Sequence, residues 1–193
     1  MTESLSQSER KLLLTIARQA MEAVAAGRSP NFLGLSEMPT AFRENGASFV
    51  TLTRNGQLRG CIGAIEAYQP LALDVQEHAA AAASEDYRFP PVTQDEVPFI
   101  EIEISRLTPS KRLDFEDARD LLEKLRPGID GVVLRDGFRR ATFLPQVWEK
   151  VPRKEDFLDH LCIKMGAHPG LWREKSLEVF TYQVEEFKEE KQK

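Results

Sequence analysis

The sequence predicts an α+β protein in which helices flank a mixed, largely antiparallel sheet. Two turn signals, Asn55-Gly56 and Asp136-Gly137, each separate two strand-like runs and therefore predict β-hairpins. No repeat or low-complexity linker divides the chain. We therefore predict one domain over residues 9–187, either undivided or made of a major sheet domain and a small subdomain. Residues 1–8 are predicted to be a flexible N-terminus and residues 188–193 a charged tail.

A capping box predicts the start of the first helix. Ser6 and Glu9 have the spacing at which a hydroxyl and a carboxylate satisfy backbone amides at a helix start. Apolar residues then recur at helical spacing as far as Gly27, where the helix is predicted to end. Further helices are predicted at 70–84, 117–125 and 154–165.

The strands are predicted from their apolar alternation and from the turns beside them. Ile100, Ile102 and Ile104 alternate with polar residues, as in a half-buried strand. The remaining predicted strands span 47–53, 58–65, 131–135, 138–143 and 177–184. We expect the charged residues 185–193 to fray.

Composition narrows the class of protein. The 193 residues carry a formal net charge of −5 and are 41% hydrophobic, as in an ordinary globular chain. An acidic chain disfavours nucleic-acid binding, because neutralising phosphates supplies most of that affinity. There is no apolar run long enough to cross a bilayer and no signal-peptide pattern. With its two cysteines far apart, the chain is predicted to be cytoplasmic.

The strand around Cys61 carries the main functional hypothesis. Alternation along a strand places Arg59, Cys61 and Gly63 on one face and Gly60 on the other. A nearby guanidinium would favour the thiolate of Cys61, which would then act as a nucleophile or a soft ligand. Gly60 and Gly63 would allow a ligand or another backbone to approach closely. The alternative is structural, because free cysteines are often inert and buried, and strand glycines often mark a bulge.

Four ordered segments resemble motifs of the AMMECR-one family. They are Leu58-Arg59-Gly60-Cys61-Ile62-Gly63, Asp86-Tyr87-Arg88-Phe89-Pro90-Pro91, Ile102-Glu103-Ile104-Ser105-Arg106-Leu107 and Phe143-Leu144-Pro145-Gln146-Val147. The first is similar to the hallmark LRGCIG segment of the family. The likeness extends from about residue 9 to residue 187.

The resemblance implies an α+β fold with a major sheet domain and a smaller subdomain. The family also supplies protein A of the AmmeMemoRadiSam systems, whose genes lie beside those of a Memo-type protein and a radical S-adenosylmethionine enzyme. It therefore implies these two proteins as partners. It does not imply a reaction or a cofactor, so the cofactor stays unknown.

Other polar residues are weaker candidates for a site. Asp86 and Arg88 follow a predicted helix, where the arginine would clamp an anion or, alternatively, the pair would only pin the loop while Phe89 fills the core. Ser105 lies on a strand face with Glu101 and Glu103, which most simply form a solvated face but whose carboxylates could serve as acid and base. The histidines and cysteines have no recognised metal-ligand spacing, and His78 is expected to be a satisfied core residue.

Three functions remain open on sequence grounds. The leading hypothesis is an enzyme, or enzyme component, with Cys61 as the reactive group, Arg59 as its activator and Arg88 as an anion clamp. A non-catalytic adaptor presenting the same face to a partner protein is the second, since arginine is often an interface hot spot. A nucleic-acid-binding module built on Arg135, Arg139 and Arg140 with adjacent phenylalanines is the third and is disfavoured by the acidic charge.

Overall fold

A computed structural model describes residues 4–31 and 33–190. The chain divides into two compact units, the first formed by residues 1–107 with 185–193 and the second by 108–184. Each described unit contains its own sheet, and the strand pairs that are assigned in these sheets are antiparallel. The predicted α+β class with a largely antiparallel sheet flanked by helices is confirmed, and the strands form two sheets rather than one.

The described part of the first unit contains three α-helices, five strands and two 3₁₀ turns, Leu35–Glu37 and Gln94–Phe99. Its helices are α1 (Gln7–Ala25), α2 (Thr40–Arg43) and α3 (Leu71–Ser84). Its strands are β1 (Asn45–Arg54), β2 (Gln57–Gly63), β3 (Gln69–Pro70), β4 (Ile100–Leu107) and β9 (Val184–Lys188). In the sheet, β1 and β4 are central, β2 and β9 lie at the edges, and β3 pairs with the start of β1.

The core of this unit lies between one face of the sheet and helices α1 and α3. Val50 and Leu52 of β1 and Ile102 and Ile104 of β4 are fully buried in the same apolar cluster as the helix residues. Alternation therefore places Thr51 of β1 and its cross-strand neighbours on the opposite face. That second face is where the candidate site lies.

The first predicted hairpin is confirmed, turn included. Arg54 pairs with Gln57, so Asn55 and Gly56 form a two-residue loop. Both have positive φ, 53° and 77°, as a type I′ turn requires. Gly56 adopts this conformation without cost, and asparagine is the residue that tolerates it best after glycine.

A β-bulge interrupts the hairpin a few residues beyond the turn. Thr53 pairs with Leu58 but Leu52 pairs with Gly60, so Arg59 is an extra residue with no partner on β1. The bulge changes which β2 residues share a face. Leu58, which simple alternation would place with Gly60 against the core, is instead 43% exposed.

The two termini of the first unit differ from the prediction. Helix α1 begins at Gln7, with Ser6 and Glu9 forming the predicted capping box, so the helix starts inside the segment predicted to be flexible. At the other end, the residues expected to fray form β9, where Phe187 packs into the core. The charged side chains on either side of Phe187 obscure this strand in the sequence, because one buried residue gives no clear period.

The second unit contains a four-stranded sheet and four helices. Its strands are β5 (Lys111–Arg112), β6 (Gly131–Asp136), β7 (Arg139–Phe143) and β8 (Glu178–Tyr182), in the order β5-β8-β6-β7. Its helices are α4 (Ala118–Lys124), α5 (Val147–Lys150), α6 (Lys154–Lys164) and α7 (Leu171–Glu174). Trp148 stacks on Phe157 with ring centroids 3.6 Å apart, and Cys162 is fully buried in the same cluster.

The second hairpin turns one residue later than expected. Asp136 pairs with Arg139, so Gly137 and Phe138 are the central residues rather than Asp136 and Gly137. Gly137 supplies the positive φ of 60° that the first position of such a turn needs.

Within the described residues, no helix has the length and apolar character needed to cross a bilayer.

The packing of Gly60 leads to a first prediction. A Cβ atom at Gly60 would overlap the backbone carbonyl oxygen of Ala82 in α3, and a helix backbone cannot yield as a flexible side chain can. Gly60→Ala should therefore lower the free energy of unfolding by roughly 1–3 kcal/mol, the usual cost of overpacking. Thermal unfolding followed by circular dichroism measures it.

Gly34→Ala is the matched control. No described atom lies within 4 Å of the Cβ position at Gly34, and its φ of −76° suits any residue. This variant should be neutral or slightly stabilising, because alanine restricts the unfolded chain. Equal melting temperatures for the two variants would contradict the close approach of β2 to α3.

Candidate functional site

Cys61 lies on the edge strand β2, opposite Thr51 of β1. Its backbone groups point away from β1, because its N–H donates to Oδ2 of Asp86 at 2.9 Å and its carbonyl accepts from Nη2 of Arg88 at 3.3 Å. Cys61 and Thr51 therefore form a non-hydrogen-bonded pair, in which side chains come closest. The Thr51 hydroxyl donates to the half-buried Cys61 sulfur at 3.3 Å.

Asp86 is the buried centre of this arrangement. It is 4% exposed and accepts hydrogen bonds from the backbone of Cys61, from the backbone of Arg88 and from Nε and Nη2 of Arg88. The Arg88 side chain is the main reason that the pKa of Asp86 is held well below its usual range, and the Cys61 N–H contributes. Asp86 is therefore a carboxylate that fixes both neighbours.

Arg88 lies beside the cysteine with its side chain 43% exposed. The carboxylate of Asp86 raises the pKa of Arg88, and a charge on Cys61 raises it further. Nη2 of Arg88 also donates to the carbonyl oxygen of Cys61 at 3.3 Å, so the guanidinium is held against the backbone of the cysteine. Contacts of Arg88 with the described residues use Nε and Nη2, which leaves Nη1 for another acceptor.

Arg59 has a different set of contacts. Its guanidinium forms a two-point ion pair with Glu96, with both nitrogen–oxygen distances 2.9 Å. It also donates to the carbonyl oxygens of Pro90 at 2.9 Å and Pro91 at 3.3 Å. This arginine holds the loop that follows α3 against the edge of the sheet. Its predicted role as activator of Cys61 stays a prediction, and the contacts favour Arg88 for that role.

The ring of Phe89, in the loop after α3, lies near the guanidinium groups of both arginines. The guanidinium carbons of Arg59 and Arg88 lie 6.0 and 5.5 Å from the centroid of its ring, within the range of cation–π interactions. Phe89 is half-buried between them rather than inserted in the apolar core. The preceding Tyr87 is 95% exposed.

The two motif glycines are explained by packing. Gly60 contacts the α3 backbone, and a Cβ atom at Gly63 would overlap the ring of Phe49 on β1. Both positions therefore require the smallest side chain, whatever binds nearby. Their predicted part in ligand binding remains a prediction.

Ser105 and Glu103 lie on β4 on the same face of the sheet as the cysteine. Ser105 is 3% exposed and pairs with Phe49, one cross-strand row away from Thr51. Glu103 pairs with Thr51 itself, so Cys61, Thr51 and Glu103 form one row across three strands. Burial raises the pKa of Glu103, and Glu186 raises it further.

The sequence did not point to Thr51 or to Glu96 as members of this site. Thr51 could be found only from the register of the hairpin, which the bulge shifts by one residue. Glu96 follows Thr93 in a capping box at a 3₁₀ turn, a pattern that does not indicate its long-range ion pair. Thr51 therefore reaches the site through the register of the hairpin, and Glu96 through an ion pair with Arg59, 37 positions away in the chain.

Histidine, cysteine and acidic side chains are the residue types that could hold a metal ion. Within the described residues no three histidine, cysteine or acidic side chains are placed to hold a metal ion. His78 is 5% exposed in α3 and contacts the carboxylate of Asp74 at 3.2 Å. It is a buried, hydrogen-bonded histidine, as the sequence predicted.

Comparison with known proteins identifies the family. A sequence model of the family described as AMMECR1 matches residues 14–187, which carry all four motifs. The chain belongs to the AMMECR-one family. A protein of Methanothermobacter thermautotrophicus is 37% identical over 191 residues, covering 96% of this chain and 97% of that one. One from Methanocaldococcus jannaschii is 34% identical, covering 96% and 92%.

A solved structure supports the AMMECR-one fold. The crystal structure of an uncharacterized protein from Pyrococcus horikoshii matches with a TM-score of 0.86 and 30% sequence identity. The match covers 96% of this chain and 94% of the other. The AMMECR-one resemblance drawn from the four motifs is therefore confirmed for both family and fold.

The ion pair of Glu96 leads to a second prediction. Its side-chain hydrogen bond with Arg59 is the main cause that lowers the pKa of Glu96 to about 2 from 4.5. A pKa lowered on folding stabilises the protein above the unfolded value, and this contribution is lost as pH falls towards 2. Glu96→Gln should cost roughly 1–3 kcal/mol at neutral pH, with a smaller cost in acid.

Urea unfolding measured from pH 7 to pH 2.5 provides the test. The difference in unfolding free energy between wild type and Glu96→Gln should shrink as pH falls below about 4.5. Asp95→Asn, at the neighbouring position of the same 3₁₀ turn, is the control and should show no such trend. A difference independent of pH would mean that the charge of Glu96 contributes nothing.

Proposed function

We propose that this AMMECR-one protein is an enzyme, or an enzyme component, in which the thiolate of Cys61 attacks a small anionic substrate. Thr51 and Arg88 stabilise the negative sulfur, and Arg88 also binds the anion. The cysteine would act in a pathway shared with a Memo-type protein and a radical S-adenosylmethionine enzyme. These two partner proteins are inferred from the family resemblance alone.

One observation carries the proposal: a hydroxyl group contacts the Cys61 sulfur, and a guanidinium is held against the same residue. The Thr51 hydroxyl donates to the sulfur at 3.3 Å, and Nη2 of Arg88 donates to the carbonyl oxygen of Cys61 at 3.3 Å. A cysteine that served only as a small apolar side chain would gain nothing from either group. Thiolate nucleophiles, by contrast, occur in partly exposed, electropositive surroundings.

The exposed side of Arg88 supports a negatively charged substrate. Asp86 occupies Nε and Nη2, so the guanidinium plane is fixed, while Nη1 remains for an acceptor outside the described residues. A fixed guanidinium loses little freedom when it binds a carboxylate or phosphate oxygen. The anion would then lie within reach of the sulfur, as nucleophilic catalysis requires.

A third prediction concerns the rate at which Cys61 reacts. Cys61 should be alkylated by iodoacetamide at neutral pH at least roughly tenfold faster than Cys162, which is buried and whose thiol pKa is raised by that burial. Arg88→Gln should lower the Cys61 rate roughly fivefold, the loss of about 1 kcal/mol of charge stabilisation. Peptide mass spectrometry at timed intervals gives both rates.

Arg54→Gln is the matched control for Arg88→Gln. Its side chain is 45% exposed, against 43% for Arg88, but it pairs with Glu96 rather than Asp86. The Cys61 rate should be unchanged in this variant. Equal alkylation rates at Cys61 and Cys162 in the native protein would contradict the role of Cys61 as a nucleophile. An unchanged alkylation rate of Cys61 in Arg88→Gln would contradict the role of Arg88 in stabilising the thiolate.

The second candidate function is an adaptor that docks a partner protein. Tyr87, which is 95% exposed, lies next to the half-exposed Arg88, and tyrosine and arginine are the residue types enriched at interface hot spots. In this hypothesis the motif face binds the Memo-type protein without chemistry at the sulfur.

A fourth prediction separates the adaptor from the enzyme. If the adaptor hypothesis holds, Tyr87→Ser should weaken binding to the purified Memo-type protein roughly 30-fold, as for a hot spot of about 2 kcal/mol. Cys61→Ser should leave that affinity unchanged. Phe138→Ser is the control, because Phe138 is an exposed aromatic residue of the second unit. Undetectable binding of the native protein in calorimetry would exclude this partner.

The nucleic-acid hypothesis has less support. Arg139 pairs with Asp136, and the guanidinium of Arg135 lies 5.0 Å from the centroid of Phe180. Both cations therefore interact within the protein, and the net charge of −5 repels phosphates overall.

A further inference from the structure

The row formed by Cys61, Thr51 and Glu103 contains an acid as well as a nucleophile. Thr51 is the Cα partner of Cys61 on β2 and of Glu103 on β4, so all three side chains leave the same face of the sheet. The backbone N–H and C=O of Thr51 do not bond to Cys61, so they point to Glu103 on the other side of β1. Thr51 and Glu103 therefore form a hydrogen-bonded pair. The Cα atoms of Cys61 and Glu103 are then about 10 Å apart.

This spacing sets the sulfur and the carboxyl group two strands apart, with the short side chain of Thr51 between them. Arg88 borders the same row at the edge of the sheet. From the edge strand inwards, the groups are therefore the guanidinium of Arg88, the thiol of Cys61, the hydroxyl of Thr51 and the carboxyl group of Glu103. An anionic substrate held by Arg88 would place its reacting carbon at the sulfur and its far end towards Glu103.

The surroundings of Glu103 suit it to carry a proton. Burial raises the pKa of Glu103, a charge on Glu186 of β9 raises it further, and Lys188 opposes these effects. A hydrogen bond with the Glu186 side chain also favours the protonated form. Thr51, the neighbour of Glu103 on β1, is uncharged. The next residue on this face along β4 is Glu101.

We propose that Glu103 is the proton donor for the chemistry of Cys61, and that the substrate is a small carboxylate whose electrophilic carbon is conjugated to a carbonyl group. This inference rests on the proposed role of Cys61. The thiolate attacks the β-carbon, a C–S bond forms, and the π electrons of the C=C bond move onto the carbonyl group as an enolate. Glu103 gives its proton to the enolate, becomes a carboxylate and regains a proton from solvent.

Two reagents separate proton donation from thiol reactivity. Iodoacetamide reacts by displacement of iodide, which needs no proton, so its rate reports the thiolate alone. Monomethyl fumarate is an anionic unsaturated ester whose addition requires a proton. In Glu103→Gln the iodoacetamide rate should be unchanged while the monomethyl fumarate rate falls roughly 100-fold, at the low end of general-acid contributions.

The pH profile provides a readout that a structural role would not change. The ratio of the addition rate to the alkylation rate should fall in the native protein as pH rises and Glu103 loses its proton. The ratio should stay flat in Glu103→Gln, and Glu103→Asp, which keeps an acid, should recover part of the pH dependence. Glu101→Gln is the matched control, because it removes a carboxylate of the same strand face that pairs with Thr53 instead of Thr51.

The outcomes distinguish the inference from the proposed function. An unchanged monomethyl fumarate rate in Glu103→Gln, with Cys61 still alkylated faster than Cys162, would overturn the role of Glu103 and leave the nucleophile intact. A loss of both rates in Glu103→Gln, with the melting temperature unchanged, would also overturn it, because the carboxyl group would then be acting on the thiol. If Cys61 of the native protein reacts no faster than Cys162 with iodoacetamide, both proposals fail.

Discussion

The bulge at Arg59 is the constraint on which the geometry of the site depends. The turn at Asn55-Gly56 pairs Arg54 with Gln57, and an unbroken ladder from that pair would place Cys61 opposite Val50. Val50 is fully buried under the helices, so the thiol would then face the apolar core. The extra residue shifts the register by one, and a shift of one residue exchanges the two faces of a strand. Cys61 therefore lies opposite Thr51 on the other face.

The buried carboxylate of Asp86 complements the bulge by occupying the edge of the sheet. An edge strand normally presents unpaired amides and carbonyls that another strand could bind. Here Asp86 accepts the Cys61 N–H, and Arg88 donates to the Cys61 carbonyl, so the loop after α3 replaces a neighbouring strand at this residue. The same two contacts that satisfy the backbone also hold a guanidinium beside the cysteine residue. Edge protection and the electrostatics of the site are thus one structural feature.

Local signals in the sequence predicted local structure. The Ser6–Glu9 capping box, the Asn55-Gly56 turn and the alternation in β4 depend on residues only a few positions apart, and each is found. The grouping of Cys61, Asp86 and Arg88 came from motifs rather than from periodicity. Thr51 could not be found in this way, because its pairing with Cys61 depends on a bulge that no turn signal or alternation in the sequence indicates. Strand β9 was missed for a similar reason, since its pairing with β4 joins segments far apart in the chain.

The LRGCIG segment separates into residues explained by packing and a residue that packing does not explain. Arg59 binds Glu96 and the loop, Gly60 contacts α3, Ile62 packs against the core, and Gly63 makes room for Phe49. Leu58 is exposed, and single exposed apolar residues need no explanation. Cys61 is neither buried with apolar neighbours nor fully exposed, and its sulfur contacts a hydroxyl. A purely apolar side chain could not accept that hydrogen bond, so packing alone does not explain why a cysteine stands at this position.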